Sequence, residues 1–230
     1  MSAIAPSAAI EPARVALEGG LHRILMATDL TAYADRAFDR AVLLAEAHGA
    51  ALCLLHAVDA SMLPASYVSQ NLRAAQATLE HEIEDSGIGR KLEVSVKVAS
   101  GETDRLVIDE ARAMQADLII MGLSQDTTLT SIVRGTAVDK VVRGAPCPVL
   151  VAKTRARRAY ASIAVAFDPA EGSRRALDLA LRLFPSTRLS VIHVDEAAPA
   201  ERTADVALDA AELESRRQIT DLVAAACTAA

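Results

Sequence analysis

The chain has 230 residues, a net charge of −6 with acidic and basic side chains intermixed, 52% apolar residues and only 3% aromatic ones. This supplies a core for a large soluble domain and leaves no basic stripe or stacking platform for nucleic acid. Its three cysteines, Cys53, Cys147 and Cys227, are odd in number and far apart, which fits a reducing compartment better than a disulfide framework, so the chain is read as cytoplasmic. No apolar run approaches the roughly 20 residues of a membrane-crossing helix, and no membrane partner is expected.

Residues 1–20 are rich in alanine but broken by Pro6, Glu11, Pro12 and Arg14, and are read as a flexible tail rather than a signal peptide. The first element is the apolar run Arg23 to Ala27, a buried strand ending in Thr28-Asp29. A helix from about Ala34 to His48 follows, with Ala37, Val42, Leu44 and Ala45 facing inward. Ala51 to Val58 is a second apolar strand. A long helix from about Val68 to Ser86 is closed by Gly87 and Gly89. Leu92 to Val98 alternates apolar and polar residues, as an edge strand with one exposed face does.

Gly101-Glu102-Thr103 opens a helix reaching about Gln115, with Leu106, Val107 and Ile108 as core. Asp117 to Met121 is a fourth strand, apolar throughout as a strand covered on both faces would be, and ended by Gly122. After a polar loop rich in hydroxyls, Gly135-Thr136 opens a helix with Val138, Val141 and Val142 on one side, stopped by Gly144 and Pro146. Pro148 to Val151 resumes the strand pattern, the proline suiting a strand's first residue or a sheet edge. Five strands alternating with four helices predict an α/β domain over 21–153, an open five-stranded parallel sheet with helices on both faces.

The basic stretch 154–158 is read as a linker, and beyond it the pattern starts again over 159–230. Ile163 to Asp168 repeats Ile24 to Asp29, Arg175 to Ala180 repeats Arg36 to Ala41, and Leu189 to Asp195 repeats the character of Cys53 to Asp59, histidine included. A final helix from about Ala204 to Ala226 completes a partial βαβα repeat. Two strands and two helices are marginal alone, so this part is expected to pack on the first unit or on another chain.

Familiar catalytic patterns are missing. The five histidines show no paired metal-ligand spacing, and no nucleophile elbow or P-loop lysine occurs. His56 and His193, at equivalent repeat positions in apolar strands, read as hydrogen-bonded core histidines. Cys53 and Cys147 read as small buried hydrophobes rather than nucleophiles.

Taken together, the strand-end Asp29, the run Leu54-Leu55-His56-Ala57-Val58-Asp59 and the stretch from Met121-Gly122 through Gly135-Thr136 to Ala145-Pro146-Cys147-Pro148-Val149-Leu150-Val151 resemble the universal stress protein A family. The form is a tandem one whose second repeat is shortened. The resemblance implies the family's fold, related to the adenine nucleotide alpha hydrolases, and a stress-response or signalling role. It also implies an adenine nucleotide, ATP with Mg²⁺, bound through Gly-x2-Gly-x9-Gly-Ser/Thr. Gly122, Gly135 and Thr136 match that pattern, while Gln125 stands at its second glycine.

A glycine there supplies a backbone with φ > 0 whose N–H groups approach phosphate. Forcing glutamine into that conformation costs roughly 1–2 kcal/mol, about tenfold in affinity, unless its amide donates to a phosphate instead. Asp29 would accept from the adenosine portion, and the Ala57 backbone would face the adenine. The nucleotide is expected to be a conformational ligand, the protein not an enzyme. The alternatives are a nucleotide-free dimerising module and a slow ATPase or autophosphorylating protein. Similar proteins dimerise, so a homodimer through Val149, Leu150 and Val151 or through the second repeat is expected.

Overall fold

Strand β1 (Arg23–Thr28) is the central strand of the first unit's sheet because the side chains of its middle residues have nowhere to go but into a core on either face. Ile24, Leu25 and Met26 are all essentially inaccessible to solvent. The computed structural model describes residues 20–32, 34–60, 64–123, 136–168 and 170–193, together with isolated helical positions between 217 and 224. The chain divides into two compact units, Met1–Ala159 and Tyr160–Ala230.

In the first unit β1 is followed by α1 (Asp35–His48), β2 (Ala51–Val58), α2 (Ala65–Ser86), a 3₁₀ turn (Ile88–Arg90), β3 (Val94–Ser100), α3 (Thr103–Ala113), β4 (Leu118–Gly122), α4 (Ala137–Gly144) and β5 (Val149–Ala152). All strands are parallel in the order β3-β2-β1-β4-β5. The first two crossovers step one way from β1 and the remainder the other, so the strand order reverses between β1 and β4. In such sheets that reversal leaves a crevice at the carboxyl ends of the two strands.

The two faces of the sheet follow the period of two. Leu25 and Ala27, Cys53 and Leu55, and Ile119 and Met121 point to one face, where Val107 and Ala111 of α3 and Val141 of α4 cover them. Helices α1 and α2 pack against the opposite face. The alternation read in the third strand is explained by its edge position, with Ser95 and Lys97 exposed between half-buried valines. Asp117 joins the entrances of β1 and β4, its Oδ2 accepting from the backbone N–H groups of His22 and Arg23, each at 2.8 Å.

Several local expectations shift. Helix α2 starts at Ala65, earlier than the apolar spacing suggested, because Pro64 in extended backbone serves as its N-cap. Strand β3 begins at Val94 rather than Leu92. Val142, read as inward, is 53% exposed, since Val138 and Val141 already fill the stripe that α4 turns to the sheet. Val42 is only half-buried, and Arg40 lies inward on α1 instead, its stem covered and its guanidinium donating to the Arg158 carbonyl at 3.3 Å.

The basic segment 154–158, read as a linker, runs along α1. Arg155 Nε reaches Asp39 Oδ2 at 2.7 Å, Arg36 donates to the Lys153 carbonyl at 2.9 Å, and Ala156 is buried.

Between α1 and α2, Glu82 faces Asp35 and Asp39, and its pKa is raised by burial first and by those two carboxylates second. A carboxyl whose folded pKa lies above its unfolded value contributes stability that is complete below the ordinary glutamate pKa and lost as pH rises through the folded one. Glu82→Gln, which mimics the protonated state, is therefore expected to raise the melting temperature at pH 7 and to leave it unchanged near pH 4. Thermal melts of the two proteins across that range check it; an equal effect at both pH values would show that Glu82 is not destabilised by its charge.

The second unit contains β6 (Ser162–Ala166), α5 (Glu171–Leu183) and β7 (Arg188–Ile192), with β6 and β7 parallel. Ile163, Val165, Phe167, Leu189 and Val191 pack with Leu177, Ala180 and Leu181 of α5, and the Tyr160 and Phe184 rings meet edge to face at 5.4 Å. His193 Nδ1 lies 2.8 Å from the Phe167 carbonyl, as His56 Nδ1 lies 2.9 Å from the Thr28 carbonyl. A carbonyl only accepts, so each ring carries its proton on Nδ1. Both histidines are thus hydrogen-bonded as the sequence indicated, but each is half-buried rather than in the core, and His193 lies one residue beyond β7. The expected final helix is described only at Arg217, Thr220, Asp221 and Ala224; the rest of it, and Cys227, lie outside the described residues.

Candidate functional site

The side chains that point to the α3 and α4 face are large in the middle of the sheet and, beyond β1 and β2, small or polar at its carboxyl end. Continuing the alternation by two residues carries Leu25–Ala27 to Asp29, Leu55 to Ala57, and Ile119–Met121 to Leu123. Where these small residues begin, the core opens into a cleft of about 200 Å³. It is lined by Ala27, Asp29, Leu55, Ala57, Met121 and Gly122 from the strands, by Thr103 and Val107 from α3, and by Thr136, Ala137 and Val138 from the start of α4. The cleft sits at the reversal of strand order between β1 and β4.

Four of the six site residues expected from the sequence line this one cleft: Asp29, Ala57, Gly122 and Thr136. Gln125 and Gly135 lie outside the described residues. Thr103 and Val107 were not anticipated as part of a site; the signal for them was a helix starting directly beyond the carboxyl end of a strand.

Asp29 follows β1 in a tight turn. Its Oδ1 accepts from the Thr31 backbone N–H at 3.0 Å and from the Thr31 hydroxyl at 2.7 Å, while the Leu30 N–H donates to Thr28 Oγ1 at 3.0 Å. Leu30 is thereby held at φ 60°, a left-handed conformation that costs a leucine roughly 1–2 kcal/mol. Asp29 does not cap α1, whose N-cap is Ala34 with no side-chain bond. Both bonds of the turn use one carboxylate oxygen, and among the described residues Oδ2 accepts none.

Thr136 is the N-cap of α4 in a reciprocal capping box. Its hydroxyl accepts from the Asp139 N–H at 3.2 Å, and its own backbone N–H and hydroxyl donate to Asp139 Oδ2, each at 2.9 Å. Those bonds, the backbone one first, lower the Asp139 pKa below the ordinary aspartate value. The Thr-x-x-Asp spacing is the signal in the sequence for this cap.

The two described cysteines stay outside this chemistry. Burial pushes the Cys147 thiol up to about 12, with Asp117 adding to it, and burial also raises Cys53, so neither offers a thiolate. Among the described residues no group of histidine, cysteine, aspartate and glutamate side chains has a metal-holding arrangement. None of the described helices is long and apolar enough to cross a membrane.

Comparison with known proteins places the first unit. The model of the universal stress protein family matches residues 20–153. The chain is 29% identical over 136 residues to the universal stress protein in the QAH/OAS sulfhydrylase 3′ region of Thermus aquaticus, covering 56% of this chain and 97% of that one. Similar solved structures include the universal stress protein UspA from Lactobacillus plantarum, at 25% identity and a TM-score of 0.48 over 58% of this chain and 98% of that chain. Another is the universal stress protein from Archaeoglobus fulgidus in complex with dAMP, at 20% identity and a TM-score of 0.44 over 57% of this chain and 98% of that chain. The match spans the whole five-stranded unit that carries the cleft, and the chain belongs to the universal stress protein family.

Proposed function

We propose that the cleft binds an adenine nucleotide and that the protein is a stress-response or signalling module whose conformation responds to that ligand. The observation that carries this reading is the convergence of Asp29, Ala57, Gly122 and Thr136, from four different elements, on one cleft at the reversal of strand order. Its apolar walls, Leu55, Val107, Met121 and Val138, suit the faces of a flat base. The carboxylate of Asp29 suits ribose hydroxyls, which donate. The N-terminus of α4 lies where phosphate would follow. ATP with Mg²⁺ is the nucleotide implied by the resemblance in the loop, and the ligand acts as an effector rather than a substrate.

The second unit repeats the opening of the first within this proposal. Strand, helix, strand and the histidine-to-carbonyl bond recur in the same order. Cytoplasmic residence and self-association through β5 complete the proposal.

Ala57→Leu tests the nucleotide site directly, because three added carbons at Ala57 would fill the cleft from its strand side without touching the central core. Calorimetric titration of AMP and of ATP with Mg²⁺ into nucleotide-stripped protein is expected to give saturable binding in the wild type and none in the variant. Undiminished binding in Ala57→Leu would move the ligand elsewhere, and no binding in either protein would favour the nucleotide-free interaction module.

A further inference from the structure

The turn that carries Asp29 also reaches the other face of the sheet. Met26 and Thr28 line the side covered by α1 and α2, and Leu30 continues their row, while Asp29 belongs with Ala27 to the α3 and α4 side. Leu30 is half-buried there, on the wall of a crevice of about 50 Å³ between α1 and α2 that it shares with Met26, Phe38, Leu54 and Leu79. It is not among the residues that line the cleft. Two successive residues thus stand in two cavities on opposite faces of the sheet.

Leu30 also carries an unfavourable backbone. Among the described residues only Leu30 and Gln115 hold a positive φ without being glycine, and at 60° the leucine side chain brings crowding that glycine would avoid. Such a conformation persists only where its surroundings over-determine it. Two hydrogen bonds contribute, the Leu30 N–H donating to Thr28 Oγ1 and the Thr31 N–H to Asp29 Oδ1, each at 3.0 Å. The second lies between exposed residues, where water competes for it. The remaining restraint is apolar: the leucine side chain in the crevice, which a glycine would not supply.

We infer that Leu30 is a positioning residue for the cleft: anchored between α1 and α2, it fixes the left-handed turn that presents the Asp29 carboxylate on the opposite face. The inference rests on the adenine-nucleotide reading of the cleft, with Asp29 on the ribose, and ties that contact to packing outside the cleft. Without the anchor the turn must be ordered at the moment of binding, and affinity falls by that cost.

The test is calorimetric titration of AMP and of its 2′,3′-dideoxy analogue into the nucleotide-stripped full chain, as wild type, Leu30→Gly and Leu30→Met. Glycine adopts the turn freely but leaves the crevice unfilled, whereas methionine fills it with a side chain of similar volume. In the wild type AMP is expected to bind at least about tenfold tighter than the analogue, which lacks the two hydroxyls that would donate to Asp29. In Leu30→Gly, AMP should weaken about fivefold to tenfold while the analogue changes by less than about twofold. Leu30→Met should keep the wild-type gap to within about twofold.

Weakening of both ligands by the same factor in Leu30→Gly would mark a leucine that only supports the fold, and unchanged AMP affinity would mean that the turn holds without its anchor. Either result overturns this inference and leaves the nucleotide reading standing. Equal binding of the two ligands by the wild type would take the ribose away from Asp29 and this inference with it. Failure of both to bind the wild type would overturn the inference and the nucleotide reading together. Should Leu30→Gly prove too unstable to titrate, Leu30→Asn carries the same expectations, because asparagine also accepts a left-handed backbone without filling an apolar crevice.

Discussion

Replacing Asp29 by alanine is expected to weaken AMP binding by about tenfold to a hundredfold, the cost of losing hydrogen bonds to a charged acceptor. The carboxylate stands at the carboxyl end of the central strand, and the turn that presents it occupies only Oδ1. Alanine also removes the two Thr31 bonds that help hold Leu30 at φ 60°, so part of the effect would come from relaxation of the turn. Asp29→Asn separates the two contributions. Its amide oxygen still accepts from Thr31 and keeps the turn, while its NH2 replaces the Oδ2 acceptor, so its loss in affinity measures the removal of charge and acceptor without relaxation of the turn and should be the smaller of the two.

Calorimetry on the three proteins gives the affinities, and thermal melting checks the fold. Asp29 is exposed, so melting should move little, within the range of a surface substitution. Full-strength binding by Asp29→Ala would remove Asp29 from the site and with it the strand-end reading of the cleft.

The largest loss of stability is expected from Ile119→Ala, at about 3–4 kcal/mol. Ile119 is fully buried in β4, registered between Leu25 of β1 and Val149 of β5, on the face covered by α3 and α4. Truncation removes buried methyl and methylene groups and leaves a cavity in the layer that supports the floor of the cleft, because parallel strands clamped on both sides collapse poorly into the space. A unit of this size should melt roughly 10 °C lower, with an unchanged denaturant slope.

Val142→Ala on the outer face of α4 is the control. With Val142 more than half exposed, its effect should stay within about 0.5 kcal/mol. A loss at Val142 as large as that at Ile119 would mean that α4 turns a different face to the sheet.

Most of the secondary structure is legible in the sequence because it depends on local quantities. The unbroken apolar runs Ile24–Ala27 and Leu118–Met121 demand cover on both sides, and the alternation around Val94–Val98 demands it on one, so hydropathy pattern alone separates central strands from an edge strand. Val142 shows the limit of that reasoning. Three valines at helical spacing define a broad stripe, and only the actual rotation of α4 decides that Val138 and Val141 face the sheet while Val142 does not. Arg40 shows the converse: a charged residue lies inward because its long stem covers apolar surface while its head finds the carbonyl of Arg158, 118 residues away.

By itself, the sequence determined the parallel α/β class, the five strands and four helices of the first unit, the recurrence of its opening pattern after residue 159, and the residue types from which a nucleotide site could be assembled. Only the tertiary structure decided the strand order β3-β2-β1-β4-β5, the meeting of Asp29, Ala57, Gly122 and Thr136 on one cleft and the path of 154–158 along α1. The physical reason is one of range. Periodicity and caps are set by neighbours within a turn or two of the chain, whereas which strands lie side by side, and which side chains meet beyond their ends, depends on the crossovers that return the chain to the sheet from tens of residues away.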